Sequence, residues 1–249
     1  MKKTSGKEKV LVIIPARYAS TRLPGKVLLH IAGKPLLQHI YQAACQSNAA
    51  QVLIATDDQR IFDVAKSFGA KAVMTSTKHT SGTDRLAEAV IILNEPDDKI
   101  IVNLQGDEIG MPPALIDQVA EILIKRKDGK MATLCERIDS ERDIYDPNVV
   151  KVVFSKNNSA IYFSRLAIPW HRSDQQHKHF RHIGLYAYRV KFLKEFRQMT
   201  HCDLERCESL EQLRVLYHGE NIYIEETCIR SGMGVDTQDD LDRARKQFS

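Results

Sequence analysis

Three cations share one short stretch of the chain, Arg17, Arg22 and Lys26 in VIIPARYASTRLPGK. The stretch opens as an apolar run over residues 10–14, turns polar, and is closed by Pro24 and Gly25. A buried strand that delivers Arg and Lys on a loop stiffened by Pro and Gly suits a polyphosphate, whose oxygens accept from a guanidinium fork and pair with an ammonium. An ordinary strand-to-helix connection with solvated charges accounts for Arg22 alone equally well. The cations together favour the phosphate. A second candidate is Asp107, near the end of KIIVNLQGDE. It reads either as a functional carboxylate or as the cap of a turn after Gly106.

The elements that must position these residues are legible as alternating periods. Apolar runs predict strands over 10–14, 51–56, 71–75 and 99–104. Helical stripes lie between and after them, over 36–44 (LLQHIYQAA), 59–68, 84–94 and 114–125. Asp57-Asp58 offers a helix cap, Gly69 a stop, and Pro112-Pro113 a start. This alternation implies βαβ units and a mostly parallel sheet, with ligands bound beyond the carboxyl ends of the strands. One sheet edge then gathers the 17–26, 76–85 and 105–108 segments, which favours the functional reading of Asp107.

The second half is organised differently. Strands are expected over 131–138, 149–155, 160–163 and 181–190, without long helices between the first three. Residues 164–180 (SRLAIPWHRSDQQHKHF), which hold the single tryptophan, Trp170, have no period and read as a loop or arm. Helices are expected over 191–198 and 208–217, the latter with Leu210, Leu213 and Leu216 on one face. Thr237 and Asp240 form a capping box at the head of a last helix, 238–247. The expected organisation is a basic tail, 1–9, and a single α/β domain, 10–249, with a mixed-sheet lobe inserted at about 145–190.

Bulk properties remove several classes. At 249 residues with 43% apolar and 27% charged content, the chain can bury one generous core. Its net charge is +4, of which Lys2, Lys3, Lys7 and Lys9 against Glu8 supply +3. A basic tail on a nearly neutral body argues against nucleic-acid binding, which needs a positive face. The tail has no apolar core of a signal peptide, and no apolar run approaches the ~20 residues of a membrane span, so the cytoplasm is the expected setting. Five scattered cysteines with no CxxC pair argue against a disulfide framework and a thiolate zinc site. Neither GxGxxG, nor a P-loop, nor GxSxG is present. His171, His177 and His179 crowd the irregular segment without an acidic partner and read as solvated. His182, in the strand-like RHIGLYAY, suits a ligand-facing or a core role equally.

Eight blocks in order, IPARYASTRLPGK, GKPLLQH, SGTDRLAE, NLQGDE, YFSRLAIPW, RHIGLYAY, LEQLRVL and GVDTQDDL, make the chain resemble the 3-deoxy-manno-octulosonate (KDO) cytidylyltransferases. These are the CMP-KDO synthetases of lipopolysaccharide synthesis. The likeness runs from Val10 over nearly the whole chain. It implies a Rossmann-like nucleotidyltransferase fold with a mixed central sheet and a small dimerisation lobe, a homodimer, Mg²⁺, and the reaction CTP plus KDO giving CMP-KDO and diphosphate. By motif, the resemblance assigns Ala16, Arg17, Lys26 and Ser81 to the nucleotide and Asp107 and Asp236 to Mg²⁺. Gln105, Arg165, His182, Tyr186, Glu211 and Gln212 fall to the sugar acid, and Arg17, Lys26 and Asp107 to catalysis. Such an enzyme must position an attacking sugar hydroxyl in line with a departing diphosphate and neutralise the phosphates.

The chain departs from the family pattern where Ile109-Gly110 follow QGDE in place of Pro, where SGTD replaces SGTE, and where ERCES precedes LEQLRVL. A cytidylyltransferase for 8-amino-KDO or a sialic acid shares most of these features. A non-catalytic nucleotide-binding homologue would be expected to lack the two aspartates.

Overall fold

The computed structural model describes residues 10–20, 22–79, 81–172 and 178–248. The expected basic tail and His177 lie outside them. The chain begins with β1 (Val10–Ala16), buried at all seven positions, as befits a central parallel strand covered on both faces. After one 3₁₀ turn at Lys26–Leu28 come the short pair β2 (His30–Ile31) and β3 (Lys34–Pro35), then α1 (Leu36–Ala44). β4 (Gln51–Thr56), α2 (Gln59–Ser67), β5 (Lys71–Met74), α3 (Gly82–Ile92) and β6 (Ile100–Asn103) continue the alternation. The Asp58 carboxylate caps α2 by accepting from Arg60 N. The Ser81 hydroxyl caps α3 by accepting from Asp84 N, so that helix starts two residues before its predicted head.

Next come β7 (Glu108–Ile109), α4 (Pro113–Lys125), β8 (Met131–Arg137), α5 (Glu141–Tyr145), β9 (Lys151–Phe154), β10 (Ala160–Ser164) and β11 (Phe180–Arg189). The chain ends with α6 (Val190–Phe196), α7 (Asp203–Glu208), α8 (Gln212–Tyr217), β12 (Ile222–Glu226), β13 (Met233–Gly234) and α9 (Gln238–Phe248). The predicted capping box forms, with Asp240 N donating to Thr237 Oγ1 and Thr237 N to Asp240 Oδ2.

β5, β4, β1 and β6 are parallel neighbours in that order. β11 runs antiparallel to β6 through Tyr186–Arg189 and, farther toward its start, meets β9 at Arg181. Its other edge carries β8, which in turn pairs in parallel with β12. The result is a mixed α/β sheet of nine strands with apolar clusters on both faces. Along β1 the side chains alternate, Val10, Val12 and Ile14 joining one cluster with α1 and α4, Leu11 and Ile13 the other with α3, α6 and α8. No helix among the described residues is long and apolar enough to cross a membrane.

Three expectations are corrected. The helix predicted over 208–217 is shortened to α8, Gln212–Tyr217, because Ser209 takes a left-handed conformation (φ 52°) that closes a separate, unpredicted helix, α7, at Glu208. β12 was not anticipated; only Ile222 and Ile224 are fully buried in it, too short a signal for a confident period. The reading of solvated histidines fails at His179, which is 6% exposed, stacks on His171 and bonds Ile168 O through Nδ1 at 2.9 Å.

Candidate active site

The carboxyl ends of β1 and β6 open into a cleft of about 660 Å³. Arg17, Lys26, Ser81, Gln105, Asp107 and Asp236 all line it. The close approach of the β1 and β6 ends requires a glycine. A Cβ on Gly106 would lie 2.8 Å from Pro15 O, closer than real carbon–oxygen contacts allow. Asp107 follows directly and is thereby aimed across the mouth of β1.

Asp236 is brought in from the far end of the chain by backbone pairing. β13 pairs antiparallel with β7, Gly234 opposite Glu108, and Val235 N donates to Asp107 O at 2.9 Å. Gly232 packs so tightly on the backbone of 109–111 that a Cβ would meet it at 2.5 Å, so this docking also needs glycine. The two aspartates therefore face one another on rigidly joined segments. Between them sits the Lys26 ammonium, 2.5 Å from Asp107 Oδ2 and 2.8 Å from Asp236 Oδ1. Burial alone would lower the pKa of Lys26, but the two carboxylates outweigh it and the net displacement is upward. Arg22 reaches the other oxygen of Asp236 at 2.9 Å; both side chains are exposed, so this pair adds little stability.

The opposite wall rests on Arg85, 2% exposed, which donates to Asp57 Oδ2 at 2.7 Å and to Thr75 Oγ1. That guanidinium ties the ends of β4 and β5 to the head of α3. His79, on the same wall, pairs with Glu88 at 2.6 Å.

The sugar-acid candidates lie in a different arrangement. Thr83 Oγ1 donates to Glu211 Oε1, which joins the head of α3 to the start of α8. Burial raises the pKa of Glu211, more than its hydroxyl partners lower it. Tyr186 pairs across the sheet with Asn103, and burial and Glu211's charge keep its phenol protonated. Gln212 is 5% exposed and its Nε2 has no hydrogen-bond partner among the described residues. Ala16 is buried at the end of β1.

His182 stands beside a bulge in β11, where the hydroxyl of Thr133 lies within 3.1 Å of Ile183 O and 2.9 Å of Leu185 O. Thr133 has one proton to give and spends it on those carbonyls. The 3.0 Å contact with His182 Nε2 is therefore donated by the imidazole, leaving Nδ1 as an acceptor. Burial holds its pKa down to about 3, so His182 is a neutral acceptor and not a cation.

Arg165 is not brought to the cleft. Its Nε donates to Glu208 O at 2.6 Å and its Nη1 to Pro147 O at 2.9 Å. A second cavity of about 480 Å³ adjoins the carboxylate pair, lined by Glu108, Arg181, His182, Gly184 and Ser231 among others. Burial and the neighbouring Asp107 charge push the Glu108 carboxyl up to about 7.

Sequence reasoning did not single out Arg85, His79, Thr133 or Glu108. Arg85 had a signal, a cation beside the apolar run LAEAVII that must be paired when buried. Thr133 had a weaker one, a hydroxyl within MATLCER.

Among the described residues no group of three or more His, Cys, Asp or Glu is placed to hold a metal. The Asp107–Asp236 pair, with a cation already between its oxygens, nevertheless fits Mg²⁺, which prefers one or two carboxylates and fills its shell with phosphate oxygens and water. The arrangement as a whole can hold a polyanion on Arg17 and Lys26 beside a hard-oxygen pair.

The chain is similar to known proteins over nearly its whole length. A family model described as cytidylyltransferase matches residues 11–222. A 3-deoxy-manno-octulosonate cytidylyltransferase of Francisella tularensis subsp. tularensis (strain FSC 198) is 50% identical over 244 residues, 96% of this chain and 98% of its own. The protein of that name in Coxiella burnetii (strain Dugway 5J108-111) is 49% identical over 245 residues, 95% of this chain and 98% of its own. A solved CMP:2-keto-3-deoxy-manno-octonic acid synthetase complexed with CTP superposes with a TM-score of 0.91 at 41% identity, covering 96% of this chain and 98% of that one.

Proposed function

This chain belongs to the cytidylyltransferase family, with the 3-deoxy-manno-octulosonate cytidylyltransferases as near relatives, and from that premise we propose that it joins KDO to CTP, giving CMP-KDO and diphosphate. The product is the activated sugar of lipopolysaccharide synthesis, and a nucleoside triphosphate substrate sets the reaction in the cytoplasm. The observation that carries the reading is the carboxylate pair Asp107–Asp236 closed on Lys26 at the carboxyl edge of a parallel sheet.

Arg17 and Lys26 line the cleft where a triphosphate would lie, and their charges oppose the negative charge that grows on the departing diphosphate. Asp107 and Asp236 would hold Mg²⁺, which when bound supplies Lewis-acid neutralisation of the phosphates. Ser81 and Ala16 border the nucleotide side, at the cap of α3 and the end of β1. Gln105 lines the cleft beside Gly82 at the head of α3, and from there it would contact the sugar acid. His182 Nδ1 and Glu211 would accept from sugar hydroxyls, while Tyr186 and the unpartnered Gln212 amide would donate to them. Arg165 would pair with the sugar carboxylate in a bidentate fork after leaving its two carbonyls. The attack is in line, and the chain's part is to fix the two substrates and exclude other geometries.

We also propose a homodimer formed through the lobe of about 145–190. Tyr145, Ile161, Leu166 and Trp170 leave exposed apolar surface on that lobe, Trp170 being 83% exposed.

The test is diphosphate release by purified protein with CTP and Mg²⁺ against a panel of sugar acids. KDO is expected to react fastest, with 8-amino-KDO and sialic acid slower. Turnover confined to another acid would replace the substrate, and no turnover with any of them would leave a nucleotide-binding homologue.

A further inference from the structure

We infer that Lys26 is an internal counter-cation: without nucleotide its ammonium takes the place between Asp107 and Asp236, and a divalent cation gains that pair only when a triphosphate draws the lysine away. The identity of the triphosphate rests on the cytidylyltransferase reading; the contact does not.

Geometry comes first. One ammonium bonds both carboxylates at 2.5 and 2.8 Å, and the Lys26 side chain is only 12% exposed. Arg22 takes the remaining oxygen of Asp236. Three of the oxygens a divalent cation would use are thus already committed to protein cations. Charge points the same way. Arg17, Arg22, Lys26 and Arg85 line the cleft against Asp107 and Asp236; with Arg85 already paired to Asp57, one net positive charge is left to repel a free dication. No alternative cluster of three or more ligating side chains exists among the described residues.

Lys26 can also leave. Its long unbranched stem lets the ammonium swing while the backbone stays fixed, and the phosphates that would attract it lie in the same cleft. Its backbone is anchored, with Lys26 N donating to Leu23 O, and Gly25 before it in the left-handed region (φ 67°). The carboxylates are themselves fixed by the β7–β13 pairing, so the lysine is the moving part. Cation and nucleotide binding are therefore coupled: each favours the state in which Lys26 has left the aspartates.

The test titrates Mn²⁺ alone into nucleotide-free protein and reads free Mn²⁺ by electron paramagnetic resonance. Wild type is expected to bind weakly. Lys26→Met should tighten Mn²⁺ binding about tenfold or more, because a paired cation is removed. Asp107→Asn in that background should abolish the gain. Arg17→Met removes a cation from the same cleft that does not bridge the pair, and should tighten binding less than about threefold. Lys26→Gln is run in parallel, with melting curves for every variant, so the comparison uses folded protein. Equal Mn²⁺ affinity in wild type and both folded Lys26 variants would overturn the inference, as would an equal gain in Arg17→Met. Neither outcome touches the cytidylyltransferase reading, which stands or falls on nucleotide-sugar formation by the wild-type protein.

Discussion

At the residue scale the cleft combines groups whose properties are set by very local neighbours. Glu108 follows Asp107 in sequence, yet points into the adjoining cavity against Gly184 and Gly234. Burial and Asp107 raise its pKa from 4.5 to about 7, so between those values the folded chain holds a proton that the unfolded chain has lost. The contribution to stability is complete below the lower value and declines as pH rises through the window. Glu108→Gln should therefore gain on wild type by on the order of 2–3 kcal/mol between about pH 5 and pH 8, read from urea midpoints without metal or nucleotide. A difference that stays flat with pH would reject the buried, proton-holding carboxyl. The same neighbour dependence limits what sequence can tell. Arg17 and Lys26 were legible because a cation on a Pro- and Gly-bounded loop has few other uses. His182 was not, because its tautomer follows from Thr133, which is far off in sequence and close only across the sheet.

At the element scale the loop that carries Asp236 is held by a polar knot. Arg181 Nε on β11 donates to Glu136 Oε2 on β8 at 2.8 Å, and its Nη2 donates to Ser231 Oγ at 2.9 Å. Glu136 is 4% exposed, so removal of its main partner leaves a buried carboxylate with the Ser231 hydroxyl at 3.1 Å and, as counter-charge, the exposed Arg230 guanidinium at 3.5 Å. Arg181→Ala should cost about 2–3 kcal/mol in a denaturant titration. Pairing it with Glu136→Met should recover part of that loss. Additive losses in the double variant would show that the two side chains do not act together. The βαβ half was readable because strands and helices there obey clean periods with a cap at Asp58. The late start of α8 was not, since Leu210 keeps the helical spacing of Leu213 and Leu216 although it stands outside the helix, between the left-handed Ser209 and Gln212. β12 was missed because its pairing partner, β8, lies far back in the chain.

At the scale of the whole molecule one sheet does two jobs. Its parallel half presents the cationic loop and the carboxylates at one edge, and β11 carries His182 and Tyr186 toward that same edge from the antiparallel half. The α/β class followed from alternation and the nucleotidyltransferase fold with its mixed sheet from the family resemblance, whereas the branching of the sheet at β11 depends on long-range pairing that no local pattern announces. The exposed apolar residues of the lobe predict an assembly. Light scattering after size exclusion should give twice the chain mass for wild type, and Trp170→Glu should shift the population toward the single chain. A wild-type protein with the mass of one chain would remove the dimer.

The central claim is that this cleft transfers a cytidylyl group to an eight-carbon sugar acid, and formation of CMP-KDO from CTP and KDO by the purified protein with Mg²⁺ tests it most directly. Stoichiometric CMP-KDO and diphosphate, with the other acids reacting more slowly, is the predicted result. Diphosphate release that needs a different acid, or none at all with any of them, would contradict it.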